Sequence, residues 1–192
     1  MRALRIVLLA IVVFGLFSCS AQAQTDFPRV EAGLSVPVLS LRAPVSDAGL
    51  GIGAQFALNA TKHFGVDAEV DSFPGNTQRS EDFVKRETLV GLRAGYALPE
   101  GGLFLKIRPG FIQFPRNGAL QKRGLTKLDH FALDLGFFGV RYYPHHTYVR
   151  FDFGDTIINF GGQRISSPSR TGTSRLDLTN NPQLSLSFGL HF

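Results

Sequence analysis

The sequence contains few of the residues on which cross-linked or metal-bound small proteins depend. Among its 192 residues there is one cysteine, and there is no tryptophan. A single cysteine excludes a disulfide framework and a cysteine-based zinc site, so we expect no metal and no other cofactor. Only 18% of the residues are charged and 44% are apolar, which excludes a disordered acidic tail or a low-complexity chain. The length fits a single domain.

The first residues have the features of an export signal. Two arginines precede the apolar run 6–17, which suits a signal-peptide core but is shorter than the about 20 residues that a membrane-spanning helix needs. An Ala-Gln-Ala sequence ending at Ala23 predicts cleavage there, and Cys19 offers an alternative, lipoprotein type of cleavage site. We therefore expect a signal peptide at 1–23 and one mature domain at 24–192.

The rest of the chain alternates apolar and polar residues with a period of two, which is typical of β-strands with one apolar face. Glycine and phenylalanine are both abundant, with 21 and 18 residues. Eight alternating segments are present, at 30–38, 50–58, 64–71, 90–96, 103–111, 131–137, 149–154 and 184–192, and they predict strands of about ten residues each. The pattern predicts an all-β fold of eight strands.

The connections between these segments alternate in length. We place them at 41–48, 59–63, 74–86, 97–102, 115–129, 144–147 and 161–181, so that every odd connection is longer than its neighbours. Because consecutive connections of up-and-down strands lie at opposite ends of a sheet, one end is elaborated and the other is trimmed. Transmembrane β-barrels show this asymmetry, with short periplasmic turns and long outer loops.

The export signal and the polar face both favour apolar side chains that point outward to lipid rather than inward. Aromatic residues also gather near the ends of the segments, where we expect two interfacial belts. The expected belt near the short turns contains Phe64, Tyr96, Phe104, Tyr142, Tyr143 and Tyr148. The expected belt near the long connections contains Phe73, Phe111, Phe114 and Phe160.

The last segment ends the chain on an aromatic residue within a strand. Its alternate apolar residues are Leu184, Leu186, Phe188, Leu190 and Phe192. This segment resembles the C-terminal targeting strand of Gram-negative outer-membrane proteins. The whole mature chain, with eight strands, three short turns and four long loops, resembles the small OmpA/OmpX/Opa-like outer-membrane β-barrel family.

The resemblance implies a single eight-stranded antiparallel up-and-down transmembrane β-barrel in the outer membrane, with both termini in the periplasm. It also implies that the barrel-assembly machinery reads the last strand, which then closes against the first. Closure satisfies the backbone hydrogen bonds that an open sheet would leave exposed to hydrocarbon. We expect a monomer.

An outward apolar face places six acidic and four basic side chains inside the barrel. Because unpaired buried charge is costly, we expect these side chains to neutralise one another in a structural ion network that fills the lumen. Its predicted members are Glu69, Arg93, Arg108, Asp134, Arg150 and Asp152. The predicted pairs are Arg93 or Arg108 with Glu69, and Arg150 with Asp134 and Asp152. The alternative interpretation of the same charges is a narrow, porin-like channel.

A second alternative is a lipid A-modifying enzyme, since some small barrels that resemble this one use His–Ser or His–Asp–Ser sets. Three of the five histidines, His63, His145 and His146, lie in predicted short turns. His191 faces inward near Ser187, which is weak support for a nucleophile and its base. We therefore predict no catalytic residues and no enzymatic activity.

The four long connections carry eleven Lys and Arg residues against five Asp and Glu. Phosphorylated lipopolysaccharide in the outer leaflet would attract such cations, so outer-membrane lipids are the expected partners. Export and the lack of basic–aromatic patches argue against nucleic acid. The main functional prediction is an outer-membrane barrel with a plugged polar lumen and surface-exposed loops, in a structural or adhesive role.

Overall fold

The computed structural model describes residues 27–42, 47–74, 85–98, 100–114, 128–166 and 173–192, and every regular element in these parts is a β-strand. Strand β1 is Val30–Leu41, and β2 has two segments, Asp47–Leu50 and Ile52–Asn59. The remaining strands are β3 Phe64–Phe73, β4 Lys85–Leu98, β5 Gly101–Gln113, β6 Asp129–Tyr143, β7 Thr147–Ser166 and β8 Thr173–His191. The described residues contain no helix long and apolar enough to cross a membrane.

The eight strands form one closed antiparallel barrel, as predicted. Each strand pairs with the next along the chain, and β8 returns to pair with β1 from Glu31↔His191 to Leu39↔Gln183. The pairing of β1 with β2 is interrupted beside Pro37, which has no N–H to donate. There the N–H of Gly51 donates a hydrogen bond to the carbonyl of Pro37 over 2.7 Å, and the strand continues.

The trimmed end of the barrel has the expected short connections, at 60–63, between Leu98 and Gly101, and at 144–146. The turn before β7 places His145 and His146 at positive φ, 66° and 60°. The first and last described residues, Phe27 and Phe192, lie at this same end, because the Phe27 ring packs on Tyr142 with 5.6 Å between the ring centres and His191 N donates to His146 O over 2.8 Å.

The predicted last connection, 161–181, was wrong. Most of it is strand: β7 continues to Ser166 and β8 starts at Thr173, which gives strands of 20 and 19 residues. The two strands change register between Asn159 and Gln163, where Gly161 and Gly162 have positive φ values of 66° and 74°. The many polar residues there hide the apolar alternation, because beyond the barrel wall neither face of the pair needs to be apolar.

The outward and inward faces have the predicted polarity. Leu92, Leu103 and Leu105 on the outer wall are 61–67% exposed, whereas Arg93, Arg108 and Asp134 are at most 1% exposed. The outer wall therefore consists of the apolar side chains and the lumen contains the ionic ones.

The two aromatic belts were only partly predicted correctly. Phe64, Tyr96, Tyr143 and Phe111 lie on the outer wall. The other six aromatic residues point into the lumen and are buried: Phe73, Phe104, Phe114, Tyr142, Tyr148 and Phe160. The distance of a residue from a strand end determines its position along the barrel axis, but not whether its side chain points inward or outward. These six residues lie an even number of positions from the inward-facing charged residues of their own strands, and they therefore point inward too.

Two apolar clusters therefore close the lumen at its two ends. The cluster at the long-connection end contains Leu39, Leu41, Phe73, Leu89, Ile112, Phe114, Ala132, Ile158 and Phe160. The cluster at the short-turn end contains Phe104, Phe138, Val140, Tyr142 and Tyr148, with Phe27 packed against it. The charged residues lie between these two clusters.

Candidate functional site

The charged lumen is the candidate site, and the strand pairing determines which residues meet there. Arg108 on β5 lies directly opposite Asp134 on β6. Its Nε donates to Asp134 Oδ2 over 2.8 Å, and its Nη1 donates to Asp67 over 2.8 Å and to Glu69 over 2.5 Å. Arg108 thus joins three carboxylates from two other strands.

Arg150 on β7 is the second arginine in the centre of the lumen. It donates two hydrogen bonds to Asp152, of 2.8 and 2.7 Å, and one to Asp67 Oδ2 of 2.5 Å. Its guanidinium lies 3.6 Å from the centre of the Phe138 ring, a position that favours cation–π attraction. Asp67 is therefore shared by the two arginines, and charge-assisted hydrogen bonds of this kind are the strong ones.

Arg93 lies at the short-turn end of the same network, with its Nη1 3.9 Å from Asp67 Oδ2. It pairs with Glu31 on β1 and hydrogen-bonds Asn59. Glu31 also accepts a hydrogen bond of 2.7 Å from the hydroxyl of Tyr142. The guanidinium of Arg93 lies within 5.5 Å of the ring centres of Phe104 and Phe138, so this group is anchored in the short-turn cluster.

Lys106 completes the network between β6 and β7. Its Nζ lies 3.0 Å from Asp134 Oδ2 and 3.1 Å from Asp152 Oδ1. Nζ is therefore close to carboxylates of two different strands. The whole Lys106 side chain is only 2% exposed.

All six predicted network residues lie inside the barrel, but they do not all pair as expected. Arg108 contacts Glu69, and Arg150 contacts Asp152. Arg93 reaches Glu31 instead of Glu69, and Asp134 contacts Arg108 and Lys106 instead of Arg150. The reason is the register: Asp134 faces Arg108 across the β5–β6 ladder, whereas Arg150 faces Val140 across the β6–β7 ladder.

Two further charged residues of the lumen were missed. Lys85 and Glu87 open β4 with their side chains inward, 4% and 0% exposed. They lie an even number of positions from Leu89 and Arg93, which also point inward. A predicted segment that began at residue 85 instead of 90 would therefore have included them. Among the residues that the structure describes, the lumen then contains seven buried carboxylates and five buried cations.

The carboxylates near the long-connection end are less well paired than the others. Asp71 accepts a hydrogen bond of 3.1 Å from Ser35. Glu87 has two buried carboxylate oxygens without a hydrogen-bond partner, and one oxygen each of Glu69 and Asp134 is also without one. Within the described residues no group of His, Cys, Asp and Glu is arranged to hold a metal ion.

The predicted assembly residues form the outer face of β8. Leu184, Leu186, Phe188 and Leu190 are 40–50% exposed and Phe192 is 66% exposed. Phe192 N donates to the carbonyl of Val30 over 2.9 Å, and its ring stacks on His146 with 6.4 Å between the ring centres. The predicted signal peptide and the basic residues Arg116, Lys122, Arg123, Lys127 and Arg170 lie outside the described residues.

The comparisons with known proteins agree with this architecture. A family model described as "Outer membrane protein beta-barrel domain" matches residues 9–192. The fold is similar to the crystal structure of neisserial surface protein A (NspA), with a TM-score of 0.56 and 10% identity over 85% of this chain and 96% of that one.

A second similar structure is that of Ail, the attachment invasion locus protein of Yersinia pestis, with a TM-score of 0.45 and 13% identity over 85% of this chain and 96% of that one. At such identities the similarity to solved structures concerns the fold. The sequence matches none of the curated proteins with which it was compared.

Proposed function

The chain belongs to the outer membrane protein β-barrel family, and from this premise we propose that it is a non-enzymatic anchor. In this role an integral outer-membrane barrel with a sealed lumen displays its long connections at the cell surface. The observation that carries the proposal is the filled interior. A continuous ionic network lies between two apolar clusters, and the side chains of Arg93, Arg108 and Arg150 are 0% exposed.

A sealed interior argues against the channel alternative. Ions need a hydrated path, and side chains fill the interior of an eight-stranded barrel. The purified protein in a planar bilayer is expected to leave the membrane conductance at its baseline, under conditions in which a known porin gives clear steps. Reproducible steps from the purified barrel would favour the channel instead.

The β7–β8 pair supports a display role. Pairing of β7 with β6 ends at Asn159 and pairing of β8 with β1 ends at Gln183, whereas β7 and β8 pair with each other as far as Ser166↔Thr173. This ribbon, residues 161–166 with 173–177, projects beyond the wall at the long-connection end. A projecting ribbon on a rigid barrel offers a partner a preorganised surface, which lowers the ordering cost of binding.

Adhesion can be tested by removing the ribbon alone. Replacing 161–176 with a two-residue turn keeps the pairs of the barrel wall, so the variant should still form a heat-modifiable barrel. Bacteria that carry it should adhere less to cultured cells than bacteria with the intact protein. A matched variant shortened within 116–126 serves as the control. Equal adherence of all three strains would point to a purely structural role.

We further propose that the short turns and both termini face the periplasm. This is supported by the clustering of Phe27 and Phe192 with the short turns, since outer-membrane barrels keep short turns on the periplasmic side. An epitope tag placed after residue 192 should resist protease in intact cells and be cleaved after the outer membrane is permeabilised. Cleavage in intact cells would reverse the orientation.

Lipopolysaccharide and the assembly machinery are the proposed partners. Basic residues in the long connections suit phosphorylated lipids, and the exposed apolar stripe of β8 suits recognition before closure. Changing Phe192 to Ser should lower the amount of folded barrel in the outer membrane without changing the stability of the barrels that do form. Unchanged lipid A mass in a strain that overproduces the protein would support the non-enzymatic role.

A further inference from the structure

A cavity of about 460 Å³ opens at the short-turn end, outside the ionic network. It lies where β6 ends, beside the turn that precedes β5. Its lining residues are Pro28, Glu100, Arg141, Tyr142, Tyr143, Pro144 and His191. Neither the sealed lumen nor the displayed connections give this cavity a role.

Two side chains of opposite charge, Arg141 and Glu100, line the cavity. Arg141 Nη2 and Glu100 Oε2 are 3.6 Å apart, and their side chains are 66% and 79% exposed. That separation is too long for a hydrogen bond, so both groups keep their hydrogen-bonding capacity. The guanidinium of Arg141 also lies 5.5 Å from the centre of the Tyr143 ring. Such a pair complements a ligand that carries an anion and a cation close together.

The outer wall next to Arg141 has an apolar notch. Gly139 precedes Arg141 by two residues on β6 and therefore shares its outward face. It lies opposite Leu103 on β5 and Phe151 on β7, which are 61% and 49% exposed. A Cβ atom placed at Gly139 would meet only the carbonyl oxygen of Gly102, at 4.0 Å. The wall thus has a gap one side chain deep, flanked by apolar groups, on the same face as Arg141 and two residues from it.

The charge pair and the notch together match one class of molecule. We propose that the end of β6 is a binding site for a single ethanolamine phospholipid. The phosphate lies against Arg141, the ammonium lies against Glu100, and one acyl chain occupies the notch at Gly139. The site takes its lipid from the periplasmic leaflet, so in cells this step rests on the orientation proposed above.

The test uses the full mature barrel purified in detergent, with native mass spectrometry as the readout. The protein is offered ethanolamine, glycerol and choline phospholipids with the same acyl chains. We expect one retained ethanolamine lipid, at about fivefold higher occupancy than the glycerol lipid, which is the size expected for one exposed charge contact. Its occupancy should also exceed that of the choline lipid, because a trimethylated ammonium has no N–H to donate to Glu100. Because the lipids are supplied in vitro, the result does not depend on which way the barrel faces in cells.

Three variants separate the parts of the site. Arg141→Gln should reduce retention of all three lipids, since each carries the phosphate, whereas Glu100→Gln should remove only the preference for ethanolamine. Gly139→Val should lower retention of all lipids without harming the barrel, since a β-branched residue suits an exposed strand position that has room for it. The matched control is Arg86→Gln, which changes an exposed arginine of β4 at the opposite end of the wall.

Equal occupancy by the three lipids in the wild-type protein would overturn the proposal. So would retention that Arg141→Gln and Gly139→Val leave at the level of the Arg86→Gln control. A preference for the ethanolamine lipid that survives Glu100→Gln would remove Glu100 from the site and contradict the assignment as drawn.

Discussion

Asp67 and Glu87 are both fully buried carboxylates in the same lumen, yet their surroundings are opposite. Asp67 accepts hydrogen bonds from Arg108 and Arg150, and a third cation, Arg93, lies 3.9 Å away. Glu87 has no hydrogen-bond partner for either carboxylate oxygen. Equal burial therefore has different consequences, because what a buried charge contributes depends on what faces it.

The comparison extends to the two ends of the ionic network. Toward the short turns, Glu31 is held by Arg93, Asn59 and the hydroxyl of Tyr142. Toward the long connections, four buried carboxylate oxygens have no hydrogen-bond partner, two of Glu87 and one each of Glu69 and Asp134. We infer that the short-turn half specifies the geometry of the interior, while the half around Glu87 can tolerate the loss of charge.

The largest expected effect is that of Asp67→Asn. This change removes the negative charge that Arg108 and Arg150 share and leaves both guanidiniums short of compensation. Removing one partner of a buried pair costs about 3–5 kcal/mol. Urea unfolding in lipid vesicles, followed by the heat-modifiable gel shift, should show that loss. A cost below about 1 kcal/mol would mean that water reaches these charges.

A smaller loss is expected for Glu31→Gln. The variant keeps the size of the side chain and one acceptor oxygen for Tyr142, but Arg93 loses its ionised partner. Hydrogen bonds to charged groups contribute about 1.5–3 kcal/mol, so the unfolding free energy should fall by that amount. The ring contacts of Arg93 with Phe104 and Phe138 should keep the barrel folded. If the cost exceeds that of Asp67→Asn, the two positions are ranked wrongly.

The opposite sign is expected for Glu87→Gln. A buried carboxyl group without a hydrogen-bond partner is unfavourable, and glutamine has nearly the same volume and no group that can ionise. The variant should be as stable as the wild type or more stable by about 1 kcal/mol. The matched control is Glu69→Gln, which weakens the 2.5 Å contact with Arg108 and should destabilise the same unfolding transition. Destabilisation by both changes would show that Glu87 has a partner after all.

The smallest effect is expected on the projecting ribbon. Arg175 and Asp177 form an ion pair of 3.2 Å, with side chains that are 70% and 61% exposed. Exposed pairs of this kind contribute less than about 1 kcal/mol, so Arg175→Gln should leave the unfolding midpoint within error of the wild type. A clear shift would show that the ribbon unfolds together with the wall and is not an appendage.

The alternation of residues was sufficient to predict most of the fold. Val66, Asp67, Ala68 and Glu69 show why: a period of two with one polar set fixes both the strand and its two faces. The prediction was wrong at Phe104 and Phe160, which were assigned to the outer belts by their nearness to strand ends instead of by this alternation. Their parity placed them inside, where they help to close the lumen.

The pairing of charges could be predicted only in part. The pair of Arg108 with Glu69 could be predicted from the sequence, because the alternation places both residues in the interior. The partnership of Arg93 with Glu31 was not, since it joins residues 62 positions apart across a curved wall. Its partners depend on the tilt and register of strands that do not neighbour one another.

The sequence by itself determined that eight segments alternate, which face of each is apolar, and that this face meets lipid. These properties are local, because a strand's two faces follow from consecutive residues alone. Only the tertiary structure decided that β7 and β8 continue beyond the wall, that aromatic rings close both ends of the lumen, and that Asp67 is well compensated while Glu87 is not. These outcomes depend on the closure of β8 on β1, which brings side chains from distant strands across the lumen to within bonding distance.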